Sequence, residues 1–203
     1  MTFQTEMQSP LLARASPSAA ASADDSLVKA AQKGDRAAFG QLYARYARMV
    51  HGILLTRVPH YTVEDLVQDV FLQALPRLNS LRDVSRFGGW LAAIARNRAA
   101  DFHRHSKPDI AFEEDLHTEE KSGPDAQDRS EALFVLEAIR SLPETYRETL
   151  TLRLVEGMTG PEIAQHTGLT HGSVRVNLYR GMQQLREVLA HKAGASSITT
   201  NQR

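Results

Sequence analysis

Residues 159–187, T-G-P-E-I-A-Q-H-T-G-L-T-H-G-S-V-R-V-N-L-Y-R-G-M-Q-Q-L-R-E, leave this chain little freedom in how it can fold. Thr159 and Glu162 have the spacing of a capping box, and Pro161 sits in a first helical turn, where its missing N–H costs nothing. Ile163 and Ala164 are expected inward, the small Ala164 letting a second helix pass close. Gly168 supplies a tight turn that a side chain would strain. Leu169 is expected to bury and Thr170 to cap a second helix carrying Val174 and Leu178 on its inner face. The result is a helix-turn-helix whose second helix projects His171, Ser173, Arg175, Val176 and Tyr179, a set suited to phosphate and base contacts. An ordinary packed helix pair would not need the capping box, small residue, turn glycine and basic second helix to coincide.

The rest of the chain must then be asked what such an element serves. At 203 residues there is room for one medium or two small domains, and a 42% hydrophobic share is enough to build their cores. There are no cysteines, which excludes disulfides, thiolate-bound zinc and a thiol switch within the chain. No apolar run reaches the length of a membrane span. Residues 1–23, rich in Ala, Ser and Pro, lack a continuous apolar signal-peptide core and read as a disordered tail, so a cytoplasmic protein is expected.

The formal net charge of zero conceals segregation. Residues 24–106 carry a net +4, residues 107–128 a net −6 and residues 129–203 a net +2. Two basic blocks suited to nucleic acid are joined by an acidic strap. The strap can be a plain solvated linker or an imitation of nucleic acid, and charge alone does not choose.

Helical periodicity runs throughout, with no convincing strand alternation. Asp24 or Ser26 can cap a helix with Leu27, Val28 and Ala31, and after Gly34 the stripe continues through Phe39, Leu42, Tyr43, Tyr46, Met49, Val50, Ile53 and Leu54. Beyond Pro59, Thr62 is expected to cap a helix burying Val63, Leu66, Val67, Val70, Phe71 and Leu75. Residues 76–86 read as irregular or only partly helical. A helix from about Phe87 to Arg104 turns Phe87, Trp90, Leu91, Ile94 and Phe102 inward, and a tryptophan among Phe87, Leu91 and Ile94 is more often core than an exposed wedge. Residues 107–128, with Pro108, Gly123 and Pro124, read as linker. The last block carries Leu133, Leu136, Ile139 and Leu142, then Tyr146, Leu150, Leu152 and Leu154. His103, His105 and His117 invite a metal reading, but the flanking helix is basic and no metal is expected there. No phosphate-binding glycine loop or nucleophile motif is present, so neither a cofactor, a metal nor an enzymatic activity is expected.

Four motifs stand in order: A-x-x-G-D-x-x-A-F-x-x-L-Y over residues 31–43, E-D-L-V-Q-D-V-F-L over 64–72, F-G-G-W-L-A-A-I-A-R-N-R-A-A-D over 87–101, and L-P-E-T-Y-R-E-T-L-T-L-R-L-V-E-G-M-T over 142–159, followed by the helix-turn-helix. Together they resemble bacterial sigma factors of the extracytoplasmic-function (ECF) group, over about residues 24–190. The resemblance implies an all-α chain: a tail (1–23), sigma domain 2 (24–106), a flexible acidic linker (107–128), the helix-turn-helix sigma domain 4 (129–192) and a second tail (193–203).

The resemblance also implies partners and roles. Asp65, Gln68 and Asp69 would dock on the β′ clamp helices of core RNA polymerase, whose β subunit is a further contact. Asn79, Ser80, Arg82 and Ser85 would meet a flipped base of the promoter −10 element, and Arg96, Asn97, Arg98 and Arg104 the phosphates of its single strand. His171, Ser173, Arg175, Val176, Tyr179 and Arg180 would read the −35 duplex. The chain departs from the family pattern G-T-V-K-S-R-L-x-R-A at Val176 and Asn177, where a hydroxyl and an arginine are usual. Gly181 lies inside a helix, where a kink or a close contact would explain it. An anti-sigma factor is implied as partner, and membrane insertion is not. Two other functions stay open on the residues alone: a sigma-like mimic that titrates an anti-sigma factor, and a stand-alone helix-turn-helix repressor.

Overall fold

Local chemistry sets most of the helix boundaries. Gly34 adopts φ +93°, and Asp35 then accepts hydrogen bonds from the Ala37 and Ala38 amides at 2.9 and 3.0 Å, so the chain turns and restarts as a helix within two residues. The computed structural model describes residues 17–105 and 125–199, with side chains over 23–105 and 132–191. Eight α-helices and no strand occur among these described residues: α1 (Pro17–Gln32), α2 (Arg36–Leu55), α3 (Val63–Arg77), α4 (Phe87–His105), α5 (Asp125–Arg140), α6 (Glu144–Leu154), α7 (Gly160–Thr167) and α8 (His171–Thr199). Short 3-10 turns precede α3 and fill the interval between α3 and α4.

Several expected boundaries shift. The first helix opens at Pro17, inside the segment read as a tail, so Asp24 lies within α1 and is buried there instead of capping it. Thr62 does not cap α3, because its hydroxyl donates backwards to the Pro59 carbonyl at 2.8 Å. Helix α3 runs through Pro76 in its last turn. Helix α8 continues to Thr199, beyond the boundary placed at 192. Residues 1–16 and most of the acidic strap, with His117, lie outside the described residues.

Helices α1 to α4 wrap one core built on Leu42, Met49, Val50, Ile53, Val67, Val70, Phe87 and Leu91. That core does not end at the strap. Leu136, Leu152, Met158, Ile163, Ala164 and Val174, all from the second block, belong to the same contiguous apolar cluster. A smaller cluster of Ala138, Ile139, Leu142, Leu150 and Leu185 holds α5, α6 and α8 together. Trp90 is half-buried against Phe87, ring centroids 5.9 Å apart, and belongs to the core's margin. Leu75, Leu154 and Leu169, all read as inward or part of the inner stripe, are 47, 45 and 36% exposed.

The two blocks meet through glycines. A Cβ built on Gly88 would lie 2.2 Å from the His166 carbonyl oxygen, and one on Gly52 would lie 2.8 Å from a Leu152 methyl. Gly88 cannot carry a side chain while α4 touches α7, because it meets backbone, and at Gly52 a side chain would force Leu152 and Glu156 of the second block to move. Gly181 follows the same rule within the second block, its Cβ position 3.0 Å from Leu150 and Tyr146, so its place in α8 reflects a close contact with α6.

Candidate nucleic-acid interface

The helix-turn-helix forms as its residues dictate. Thr159 accepts the Glu162 amide while the Glu162 carboxylate accepts the Thr159 amide at 2.7 Å, completing the capping box. Gly168 closes α7 in the left-handed region at φ +76°, and the Thr170 hydroxyl accepts the Ser173 amide at 3.1 Å to start α8. His171, Ser173, Arg175, Val176, Tyr179 and Arg180 are all exposed. The helix start adds its own partial positive charge to this face, which favours a phosphate. Asn177 points the other way. It is buried and its amide bonds Thr149 at 3.5 Å, so the departure from the family's arginine falls on the α6–α8 contact and not on the reading face.

The interval between α3 and α4 exposes Asn79, Ser80, Arg82 and Ser85. Ser80 donates to the Arg77 carbonyl at 2.7 Å, and Ser85 donates to Asp83 at 2.6 Å. The Ser85 hydroxyl and amide, with Arg86, hold the Asp83 carboxyl below its usual range. Asn79 and Arg82 are therefore the side chains that reach outward from a turn whose serines are already engaged.

The cations of α4 do not form a single track. Helical spacing puts Arg96, Asn97 and Arg104 on one side and Arg98 on the opposite one. Arg98 accordingly turns to α3 and donates to Asp69 at 2.6 and 3.2 Å. Arg104 pairs with Asp101 one turn back. Arg96 reaches across to the second block and grips Glu148 with two parallel hydrogen bonds, 2.7 Å from Nη2 and 3.1 Å from Nε. This hydrogen bonding to Glu148 pushes the Arg96 guanidinium pKa upward, against the effect of burial. Asn97 is exposed.

On α3, Asp65 and Gln68 are exposed as expected, but Asp69 is half-covered by its pairing with Arg98. The stripe 65–68–72–75 continues instead through Leu72 and Leu75, 69 and 47% exposed, with Tyr61 at 59% beside its start. An acid, an amide and two leucines at helical spacing make a face that can bury apolar area on a partner helix.

Sequence reasoning missed the groups that join the blocks. Arg57, at the end of α2, donates to Glu148 at 2.8 Å and to Glu144 at 2.6 Å. Arg57 holds the Glu144 carboxyl below its usual range. Glu148 is buried and Arg57 nearly so, so removing Glu148 would leave the Arg57 guanidinium covered without its main partner, which is destabilising. His51 on α2 meets Glu156 at 2.6 Å, and buried Asp24 accepts from Tyr46 at 2.9 Å and from Gln165 of α7 at 3.3 Å. Burial, then the Asp24 charge, drive the Tyr46 hydroxyl pKa strongly upward. The only local signal for this junction was the Gly88–Gly89 pair opening a helix, where glycine is a poor choice unless something must come close.

His103 and His105 spend a ring nitrogen each on a backbone carbonyl, those of Arg57 and Asp101. Among the described residues no group of three or more His, Cys, Asp or Glu side chains is arranged to hold a metal, and no helix is long and apolar enough to cross a membrane.

Comparison with known proteins matches both blocks. Residues 42–108 match the family described as Sigma-70 region 2, and residues 135–185 match Sigma-70, region 4. The chain is similar to the RNA polymerase sigma factor CarQ of Myxococcus xanthus, 35% identical over 159 residues that cover 77% of this chain and 91% of that one. It is also similar to the ECF RNA polymerase sigma-E factor of Escherichia coli strain K12, 34% identical, covering 80% of this chain and 92% of that one. Among solved structures, CnrH in complex with the cytosolic domain of CnrY superposes with a TM-score of 0.58, at 28% identity over 83% of this chain and 98% of that one.

Proposed function

The chain belongs to the sigma-70 family, within the ECF group of RNA polymerase sigma factors, and from that premise we propose how its surfaces divide the work. It binds core RNA polymerase and directs it in promoter recognition. The role is regulatory and not catalytic, and it is exercised in the cytoplasm, where the polymerase and the promoter are.

The carrying observation is that both family regions occur in order on helical blocks, the second ending in a helix start whose reading side chains are all exposed. Residues 129–192 read the −35 duplex: Arg175 and Arg180 take guanine edges or phosphates, Ser173 and the helix start hold a phosphate, and Val176 is placed for a thymine methyl. Residues 24–106 bind core polymerase and the −10 element. Asp65 and Gln68 fix the register on the clamp helices through charge and amide bonds, while Leu72 and Leu75 supply the apolar area that a stable contact needs.

Opening a promoter requires unstacking, which costs a few kcal/mol per step. A factor without nucleotide hydrolysis offsets this by binding the melted strand better than the duplex. Asn79 and Arg82, projecting from the turns before α4, meet the extruded base, and Arg96, Asn97 and Arg104 hold its strand. The residues between positions 107 and 128 tether the blocks. A regulatory protein of the anti-sigma kind is the further partner we assign, since the superposable structure of CnrH is itself a complex with a cytosolic domain of another protein.

The test is run-off transcription on fragmented genomic DNA, with purified core polymerase, with and without this protein. New starts behind a shared pair of −10 and −35 sequences are expected. Arg175→Ala should lower those starts by about fivefold or more, in line with about 1–3 kcal/mol for a base-reading arginine, and leave core-polymerase affinity unchanged. Equal loss of both would remove Arg175 from promoter reading. No new starts from a folded chain would remove the initiation role and favour the mimic or the repressor.

A further inference from the structure

The side chains that bind Glu148 have the build of an anion site. Arg57 is pinned before any partner arrives: its Nη1 donates to the Ile53 carbonyl and to the Thr56 hydroxyl, both at 2.9 Å, which aims Nη2 away from the end of α2. The Arg57 carbonyl is held in turn by His103 of α4 at 2.5 Å. Arg96 presents the flat edge of its guanidinium beside it, Nε and Nη2 parallel. Both arginines belong to the first block, and both converge on the same oxygen, Oε2 of Glu148, at 2.8 and 3.1 Å. A two-pronged guanidinium with a second one alongside matches the paired oxygens of a carboxylate or of a phosphodiester equally well.

We infer that Arg57 and Arg96 form a phosphate-binding site for single-stranded nucleic acid, and that in the closed protein Glu148 of the second block occupies it in place of a backbone phosphate. Glu148 is 7% exposed and its carboxylate fills the space between the two guanidinium groups, so a phosphate takes that place only when α6 withdraws. The seating is enforced sterically as well as by charge, because α7 lies with its backbone against Gly88, where no side chain fits. Closure of the blocks and binding of a strand at this site are therefore mutually exclusive. The apparent affinity for the strand is reduced by the fraction of molecules that are open. This rests on the reading of Arg96 as a strand-holding residue and deepens it: Arg57 is added to the site, and the molecule regulates its own access.

The experiment uses the full chain, which contains no cysteine. Lys33→Cys and Glu187→Cys, both at exposed positions, one in each block, take a fluorescent donor and acceptor. Energy transfer reports closure, and the anisotropy of a labelled 20-nucleotide oligo-dT reports strand binding at two salt concentrations. Helix content by circular dichroism checks that each variant is folded. Adding oligo-dT to the otherwise unchanged chain should shift energy transfer away from its closed value. Glu148→Gln should shift it without DNA and tighten oligo-dT binding by about tenfold or more, the gain expected when more than about nine molecules in ten are closed. Gly88→Ala should do the same without touching any charge, which covers the case in which Glu148→Gln unfolds. Arg57→Gln combined with Gly88→Ala should bind more weakly than Gly88→Ala alone, with a salt slope reduced by about 0.7, one phosphate contact on a single strand. The inference is overturned if folded Gly88→Ala opens without a gain in oligo-dT affinity, or if adding Arg57→Gln changes neither affinity nor slope. No polymerase is present, so failure of the transcription assay alongside these shifts would remove the initiation role and leave this site standing.

Discussion

His51 sits at the junction with its titration shifted by carboxylates from both blocks. Its ring faces Glu156 from the turn after α6 at 2.6 Å and Glu64 from α3 at 3.7 Å. Hydrogen bonding to Glu156 raises its pKa above the ordinary 6.5, burial works against this, and the Glu156 and Glu64 charges add to the rise. A folded-state value raised above the unfolded one stabilises the protein fully below the unfolded pKa, and that contribution is lost as pH rises through the folded one. Stability measured by denaturant titration should therefore decline from pH 6.5 upward, and His51→Gln should flatten that decline. An unchanged slope in the variant would place the pH dependence elsewhere. Arg57 and Glu148 show why such residues escape a reading of the chain. They stand 91 positions apart, each has an unremarkable local context, and only the docking of one block on the other makes them partners.

Elements whose ends are set by neighbouring residues were legible. The capping box of α7, the turn glycine at 168 and the cap at Thr170 are all contacts within three or four positions, and they form as their spacing requires. The faces of the helices were less so. Leu75 continues an apolar stripe along α3, yet it points outward with Leu72, because periodicity reports which residues share a side and not what that side meets. The proposed docking on polymerase would give the exposed leucines a partner. Leu72→Ala should weaken core-polymerase binding by about 1–2 kcal/mol, roughly tenfold, the value of burying most of one leucine side chain. Being exposed, it should leave the melting temperature of the isolated protein almost unchanged. A drop in melting temperature with unaltered polymerase affinity would show that the leucine serves the fold instead. On α4 the motif A-R-N-R placed two arginines in one expected track, but their 200° separation around the helix sends Arg98 to Asp69 and Arg96 to Glu148.

At the scale of the molecule, two blocks with separate family matches share one core. Leu152, Met158 and Ile163 lie in the same apolar cluster as Ile53 and Leu91, and the Arg140 guanidinium donates to the Leu55 carbonyl at 2.9 Å and the Val58 carbonyl at 3.1 Å. Charge segregation along the sequence suggested two bodies on a strap. It contained no measure of how well they fit, since that depends on glycines at 52 and 88 whose use becomes visible only in three dimensions. A shared core has a consequence for how the covalent chain matters. Fragments 1–106 and 107–203, produced in one cell as two polypeptides, should find each other and co-elute on a size-exclusion column as a single particle. Gly88→Ala in the first fragment should separate them. The peptide link between the blocks would then act chiefly as a concentration device, and the factor could be built as a two-part complement whose assembly is placed under an outside signal.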